Sequence, residues 1–209
     1  MIKLEKTDIF GWDAATRGMR NPMNSWDKSD TEWVANERYQ IGPNDRTLMK
    51  SLAKAGPEHA KYLRMIIVQL DITAPFYWWK EFDTYKIGTV ANSCSTMHKL
   101  MYKYFELSDF STDHLDETGI SVLESIISCL NMNRDLYFLK EKDKQYWWNI
   151  VQLLPTSYNQ KRTVQLNYAV LSNMYRQRKD HKLDEWHTFC DWIKKLPYSE
   201  LITGEESEK

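Results

Sequence analysis

The chain has 209 residues with a formal net charge of −1, and 42% of the residues are hydrophobic. This length suits a single globular domain, and the near-neutral charge argues against a strongly basic nucleic-acid-binding protein. The three cysteines form no CxxC pair and are too few for a disulfide framework. We therefore expect reduced thiols in a cytoplasmic protein. The apolar runs are short, which predicts neither a signal peptide nor a membrane span.

The N-terminal part of the chain predicts a strand and two helices. Residues 1–10 alternate loosely between apolar and charged side chains, as in a short strand. Asp13 is placed to cap a helix that continues to Met19. A second helix starts at the Gly-Pro-Asn-Asp sequence at 42–45 and ends at Gly56. Its predicted buried face consists of three small or aliphatic residues: Leu48, Leu52 and Ala55.

The clearest strand of the sequence is predicted from Arg64 to Thr73. Every second residue is aliphatic while most positions between are polar, which is the period of a half-buried strand. The aliphatic positions are Ile66, Val68, Leu70 and Ile72. Pro75 suits the first turn of a helix directly after this strand. That helix would carry three aromatic side chains on one side: Phe76, Trp79 and Phe82.

The remainder of the chain is mostly helical by its periodicity. A long helical pattern at 113–154 is interrupted by the charged segment 140–144. Three shorter elements follow, a strand at 163–166 and helices at 167–178 and 183–196. The charged end, 204–209, predicts a frayed tail. The sequence thus predicts an α+β fold: one mostly helical domain over 1–209 with a small antiparallel sheet.

Hydrogen-bonding side chains are concentrated in the segment 84–98, which follows the aromatic helix. A ligand site or a solvated loop would both explain this composition. Cys94 lies in sequence near Lys86, His98 and Lys99. A nearby cation lowers the pKa of a thiol and makes it a better nucleophile, although Cys94 is equally interpreted as a small, half-buried residue.

A basic run near two asparagines is the second polar concentration. Its cations are Arg176, Arg178, Lys179 and Lys182. On one helix Arg178 lies about three turns beyond Asn167 and shares its face, whereas Asn173 lies toward a flank. Polar groups in an otherwise apolar helix need partners. A flavin, a nucleotide base or a phosphate would satisfy them, as would water.

Familiar catalytic and metal-binding patterns are absent from the sequence. It contains no P-loop, GxGxxG, GxSxG or HExxH motif. The five histidines have no zinc-site spacing. We therefore predict that the protein has no metal centre.

The order of elements around Pro75 resembles that of the flavin-dependent thymidylate synthases, the thymidylate synthase complementing proteins. In that family a signature loop, RHRxxSxNExSxR, begins nine residues after the proline of an Ala-Pro pair. The same count places a degenerate loop at 84–96 here. The triplet becomes Thr84, Tyr85 and Lys86, the second serine becomes Cys94, and the final arginine becomes Thr96.

The second half of the chain matches the family pattern more closely and without a gap. The matching residues are Leu154, Pro155, Asn167, Asn173, Arg178 and Asp180. By resemblance, Asn167 and Asn173 correspond to flavin-contacting asparagines. Arg178 corresponds to the arginine that holds the pyrimidine. The family arginine that precedes the Leu-Pro pair is replaced by Val151.

The resemblance implies a homotetramer that methylates a pyrimidine deoxynucleotide, dUMP or a relative, at C5. FAD, NADPH and methylene-tetrahydrofolate would take part in that reaction. The implied cofactor contacts are Tyr85, Lys86, Asn167 and Asn173. The implied substrate contacts are Glu81, Asn92, Cys94, Thr96 and Arg178, of which Arg178 and Cys94 are the catalytic candidates.

Three arginines of the family pattern are replaced here, by Thr84, Thr96 and Val151. A hydrogen bond to a charged group contributes about 1.5–3 kcal/mol, so their uncompensated loss would weaken phosphate binding strongly. Other cations could substitute, namely Lys80, Lys86, Lys99, Arg176 and His98. Three hypotheses remain open: a divergent flavin enzyme, a non-catalytic nucleotide-binding or protein-interaction relative, and an unrelated α+β protein.

Overall fold

The computed structural model describes residues 1–34, 38–96 and 99–205 of the chain. The strands are β1 (Lys3–Phe10), β2 (Glu32–Val34), β3 (Arg38–Gln40), β4 (Ile67–Pro75), β5 (Val90–Ser93) and β6 (Asn159–Asn167). The α-helices are α1 (Trp12–Arg20), α2 (Pro43–Lys54), α3 (Phe76–Phe82), α4 (Glu117–Leu139), α5 (Lys144–Leu153), α6 (Tyr168–Arg178), α7 (Asp184–Lys194) and α8 (Glu200–Thr203).

Four of the strands form the main sheet in the order β1-β4-β6-β5. The sheet is small and antiparallel, and helices predominate in the rest of the chain. β2 and β3 form a separate antiparallel hairpin in which Trp33 lies opposite Tyr39. The predicted α+β, mostly helical fold with a small antiparallel sheet is therefore confirmed.

The chain forms two compact units, each assembled from separate stretches of sequence. The first unit comprises 1–3, 72–84 and 92–163, and the second unit comprises 4–71, 85–91 and 164–209. The chain passes from the first unit into the second between Thr84 and Tyr85, and returns after Ala91. The assignment of 1–209 to a single domain remains a prediction.

The first unit has a core built by the long helix α4 and by α5, which packs against it. The buried members of this core are Leu100, Met101, Phe105, Phe110, Leu123, Ile127, Leu130 and Ile150. A hydrogen bond of 2.8 Å from Asn149 to the buried Asn133 joins the two helices. Trp79 on α3 is also buried, and the Arg162 guanidinium lies 4.1 Å from its ring centroid.

The second unit contains a buried ion pair between Arg20, the last residue of α1, and Asp45, in the first turn of α2. Arg20 Nε donates to Asp45 Oδ1 at 2.6 Å, and both side chains are almost completely buried. The other carboxylate oxygen, Oδ2, accepts from the hydroxyls of Ser29 and Thr31. Arg20 also donates to the backbone carbonyl of Lys28. The pair therefore joins α1, the connecting loop and α2.

The charge state of Asp45 follows from these contacts. Burial acts to raise the pKa of the carboxyl, but hydrogen bonds from Ser29, Thr31 and Arg20 lower it below its ordinary value of 3.8. A group whose pKa is lowered in the folded state contributes stability above its unfolded pKa. That contribution is lost as the pH falls below 3.8, toward the folded pKa.

The predicted strand before Pro75 is confirmed, although its bounds differ from the prediction. β4 begins at Ile67 instead of Arg64, because residues 60–64 form a short 3₁₀ helix, and it extends to Pro75. The predicted aliphatic face is confirmed, but Asp71 on the opposite face is buried as well. The aliphatic positions Ile66, Val68, Leu70 and Ile72 are all buried.

Two details of the first helices were predicted wrongly. Asp13 does not cap α1; the N-cap is Gly11, and Asp13 pairs instead with Arg17. A Cβ on Gly11 would lie 2.1 Å from the carbonyl oxygen of Met65, so only glycine fits there. On α2 the buried residues are Asp45 and Met49, whereas Ala55 is exposed. Asp45 lies in the interior because it pairs with Arg20. The spacing of apolar residues does not predict a buried carboxylate.

Two predictions concern the end of the chain and membrane spans. The Glu205 carboxylate accepts a hydrogen bond from the Tyr175 hydroxyl at 3.2 Å, while 206–209 of the predicted tail lie outside the described residues.

Among the described helices, none combines the length and the apolar character needed to cross a bilayer.

We predict that Asp45→Ala lowers the free energy of unfolding by about 3–5 kcal/mol, because it leaves the Arg20 guanidinium buried without its counter-charge. Urea unfolding at neutral pH measures this loss. Asp13→Ala is the matched control, since its partner Arg17 is exposed to solvent, and it should have a much smaller effect. Equal losses in the two variants would show that the buried pair has no special role.

Candidate functional site

The start of α6 places the first of the predicted site residues. β6 leads directly into α6, and Asn167 is the N-cap between them. Its Oδ1 accepts a hydrogen bond from the backbone N–H of Val170 at 3.0 Å, as capping asparagines do. The helix predicted at 167–178 therefore begins one residue later, at Tyr168, with Asn167 as its cap. The amide oxygen of Asn167 is thus used to cap the helix, whereas its amide nitrogen is not.

A glycine of the signature loop lies against this cap. Gly88 has a φ of +77°, and a Cβ there would lie 3.0 Å from Nδ2 of Asn167. A side chain at 88 would thus be strained and would crowd the amide. Next to it, Oγ1 of Thr89 is buried and has no hydrogen-bond partner among the described residues. A buried hydroxyl without a partner is costly, so this atom indicates a missing acceptor or donor.

The other end of α6 carries Arg178, which is held in one orientation. Its Nε donates to the Tyr85 hydroxyl at 2.8 Å, and its guanidinium carbon lies 4.8 Å from the Trp186 ring centroid. Tyr85 is nearly buried and packs edge-to-face against Trp186, with ring centroids 6.2 Å apart. These contacts fix the guanidinium by a hydrogen bond and a cation–π interaction together.

The Tyr85 hydroxyl also connects Arg178 to two other polar side chains of α6. Tyr85 donates to Oε1 of Gln177 at 3.0 Å, and Nε2 of Gln177 donates to Oδ1 of Asn173 at 3.0 Å. A hydrogen-bond chain therefore leads from Arg178 through Tyr85 and Gln177 to Asn173. We call these four residues and Trp186 the Arg178 network. Three of its members, Tyr85, Asn173 and Arg178, were predicted from the sequence.

Gln177 and Trp186 were not predicted as site residues. Gln177 follows Asn173 by four residues, which places the two side chains on one helical face, so spacing could have indicated the pair. Trp186 lies in the predicted helix 183–196 and is fully buried, as expected of a large aromatic side chain. Nothing in the sequence indicates that a guanidinium packs on its ring.

The predicted residues Glu81, Asn92, Cys94 and Thr96 belong to the first unit. Cys94 directly follows the edge strand β5, and its backbone N–H donates to the carbonyl of Lys161 at 2.9 Å. Its own carbonyl accepts from Nε2 of the buried Gln160 at 2.8 Å. The backbone is thereby fixed while the thiol is exposed. Asn92 is exposed, and Thr96 and Glu81 are half-buried.

The cations proposed to replace the missing arginines lie in different surroundings. Lys86 is exposed, and Lys99 lies with its Nζ 4.9 Å from the Tyr102 ring centroid. His98 is outside the described residues. Within 1–34, 38–96 and 99–205, no group of three histidine, cysteine or carboxylate side chains is arranged to hold a metal ion. The predicted lack of a metal centre stays a prediction.

Solved structures with the same fold are known. Two structures of the flavin-dependent thymidylate synthase, thymidylate synthase X, from Helicobacter pylori, both with FAD and dUMP, match this chain with TM-scores of 0.70 and 18% identity. The alignments cover 98% of both chains in one case, and 99% of this chain and 100% of the other in the second. The chain therefore has the fold of these enzymes, as the resemblance predicted.

A third structure extends the comparison to a different enzyme. The UMP/dUMP methylase PolB from Streptomyces cacaoi, bound with 5-Br dUMP, matches with a TM-score of 0.66 and 12% identity, over 100% of this chain and 97% of that one. No protein-family model matches the sequence, and no curated protein does either. The residue correspondences in the degenerate signature loop remain predictions.

We predict that iodoacetamide at pH 8 alkylates the exposed Cys94 first and the buried Cys190 last. Burial raises the pKa of the Cys190 thiol to about 11. Its small thiolate fraction should make it at least about a hundredfold slower than an ordinary cysteine. Mass spectrometry of timed samples measures the three rates, with the urea-unfolded chain as the reference.

A Cys94 rate above that of the unfolded chain would favour a nucleophilic thiol. A rate equal to that of the half-buried Cys129 would contradict the special reactivity of Cys94.

Proposed function

We propose that this protein is a divergent relative of the flavin-dependent thymidylate synthases that transfers a methyl group to C5 of a pyrimidine deoxynucleotide. The substrate would be dUMP or a close relative, with reduced FAD and methylene-tetrahydrofolate as redox partner and carbon donor. The orientation of Arg178 is the observation that carries this proposal. A protein without a ligand has little reason to hold a guanidinium by both Tyr85 and Trp186.

The residues at the start of α6 fit a flavin. Asn167 Nδ2 makes no hydrogen bond within the described residues, and Oγ1 of Thr89 is buried there without a partner. The positive end of the α6 dipole lies at the same cap and favours electron-rich ring atoms or a phosphate. Asn167, Asn173, Tyr85 and Lys86 would hold the cofactor. When bound, FAD would supply the electron transfer that methylation requires.

Arg178 would act on the pyrimidine. A guanidinium is permanently charged, and it would stabilise negative charge on a ring carbonyl oxygen in the enolate-like form of the ring, whose C5 then attacks the carbon donor. The Arg178 network would keep it aligned before substrate arrives, which avoids the cost of ordering it later. The substrate contacts that the resemblance implies for Glu81, Asn92, Cys94 and Thr96, and the catalytic role that it implies for the Cys94 thiol, remain predictions.

A homotetramer and a cytoplasmic location are also part of the proposal. Several large apolar side chains on α4 are exposed, including Val122, Met132 and Leu139, the last with 74% of its surface accessible. Exposed apolar side chains on one helix support burial against another copy of the chain. NADPH as the reductant rests on the resemblance alone.

One observation favours the alternative of a non-catalytic relative. Tyr85 is nearly buried against Trp186, so its ring offers little surface for stacking on a flavin. Thr84, Thr96 and Val151 also lack the charges of the family arginines. A protein that retained only nucleotide binding or a protein interaction would tolerate these changes, and it would bind no flavin.

We predict that the purified protein retains a flavin absorption spectrum after incubation with excess FAD and desalting. The informative variant is Asn167→Ser, because serine caps a helix about as well as asparagine but lacks the Nδ2 donor. It should keep its melting temperature and lose flavin. No flavin in the unmodified protein would contradict the enzyme proposal and favour the non-catalytic alternative.

A second prediction concerns Arg178. With methylene-tetrahydrofolate present and oxygen excluded, dUMP should accelerate the oxidation of reduced flavin, because transfer of the methylene carbon as a methyl group takes up its two electrons. Arg178→Gln should weaken the dUMP concentration dependence about 10- to 100-fold, as expected for a lost charge-assisted hydrogen bond. Stopped-flow absorbance measures the rates. Lys179→Gln is the control, since this neighbouring cation is exposed. If dUMP has no effect on the unmodified protein, methyl transfer to this nucleotide is ruled out.

A further inference from the structure

Two adjoining clefts lie in the second unit and contain none of the residues of the Arg178 network. The larger, of about 170 Å³, lies between α2 and α8, and the smaller, of about 110 Å³, lies beside residues 56–64. They share four lining residues: Ala53, Ser172, Arg176 and Leu201. We call the two together the α2–α8 groove. Each part is several times the roughly 30 Å³ that a water molecule occupies in the liquid.

One side of α6 forms a wall of this groove. Ala169, Ser172 and Arg176 line it, and their spacing of three and four residues places them on one helical face. Arg178 lies two residues beyond Arg176, about 200° around the helix. The groove and the Arg178 network therefore use different faces of α6. The Ser172 hydroxyl donates to the carbonyl of Ile202 at 2.9 Å and fixes α6 to α8.

Cations outnumber carboxylates four to two among the residues that line the groove, and both carboxylates lie in the larger cleft. The cations of the groove are Lys50, Lys54, Arg64 and Arg176. Of its two carboxylates, Glu200 is almost completely buried and paired with Arg46 at 2.5 Å, and Glu205 accepts from Tyr175. Three of the cations form no ion pair with an acid in the part of the chain that the structure describes: Lys54, Arg64 and Arg176.

The cations are distributed along the whole groove. Lys50 and Lys54 line the larger cleft, Arg64 lines the smaller, and Arg176 lines both. Arg176 therefore lies between the lysines and Arg64. Clustered like charges repel each other unless an anion neutralises them. An anion with two charged groups would meet cations at both ends of the groove.

We propose that the α2–α8 groove is a binding site for a diphosphate group. Phosphate oxygens accept the planar pair of guanidinium N–H groups that Arg64 and Arg176 present, and lysines bind phosphate as point charges. The larger cleft takes one phosphate beside Lys50 and Lys54, and the smaller takes the second beside Arg64. This assignment does not depend on the proposed methyl transfer, because it involves neither Arg178 nor the start of α6.

Isothermal titration calorimetry of the purified full-length protein tests this site, with inorganic pyrophosphate, inorganic phosphate and ADP as probes. Pyrophosphate should bind at least about tenfold more tightly than phosphate, since it reaches both clefts. Arg64→Gln and Arg176→Gln should each raise the pyrophosphate Kd about tenfold or more. An ADP affinity above that of pyrophosphate would identify a nucleoside diphosphate as the ligand class, whereas the reverse would identify a free diphosphate.

Three controls keep the result specific. Lys61→Gln removes an exposed cation that pairs with Glu58 outside the groove, and it should leave the pyrophosphate Kd unchanged. Arg178→Gln should also leave it unchanged, which separates this site from the proposed active site. The melting temperature of each variant shows that it is folded.

Two outcomes would overturn the proposal. One is the lack of measurable heat with all three probes at millimolar concentration. The other is an equal loss of affinity in Lys61→Gln and Arg176→Gln, which would mean nonspecific attraction to surface charge.

Discussion

The buried ion pair between Arg20 and Asp45 is the interaction on which the second unit depends. It joins the end of α1 to the start of α2, and its remaining hydrogen-bonding capacity is satisfied by the loop between them. α1 and α2 both pack against the 3₁₀ helix at 60–64, which directly precedes β4. An uncompensated charge at either position would be costly, so the pair constrains how this whole segment is arranged.

α6 carries polar residues of both candidate binding sites in the second unit. Its N-terminus is capped by Asn167, its C-terminus holds Arg178 against Tyr85 and Trp186, and a different face lines the cationic α2–α8 groove. α6 packs against both α7 and α8, and its buried residues include Leu171 and Met174. A helix fixed in this way holds charged groups in set orientations, as recognition of a flat ring or a phosphate requires.

Elements with a strong apolar period were predictable from the sequence. β4 shows the two-residue period of a half-buried strand, and the buried residues of α4 and α7 recur at helical spacing. The Leu-Pro, Asn167, Asn173 and Arg178 spacing also indicated the fold. These signals are local, because burial of one face imposes a period that a short stretch of chain displays by itself.

The sequence by itself determined the strong elements and the α+β class, and the family resemblance drew attention to Tyr85, Asn173 and Arg178. Only the tertiary structure decided that Asp45 faces inward, that Tyr85 is a support for Arg178, and that Trp186 lies beneath its guanidinium. The short elements β2, β3, β5 and α8 were likewise not predicted. The polar contacts of Asp45, Tyr85 and Arg178 join residues distant in sequence, and the local spacing of apolar residues does not show which partner a buried charge will have. The short elements are too brief to display a clear period.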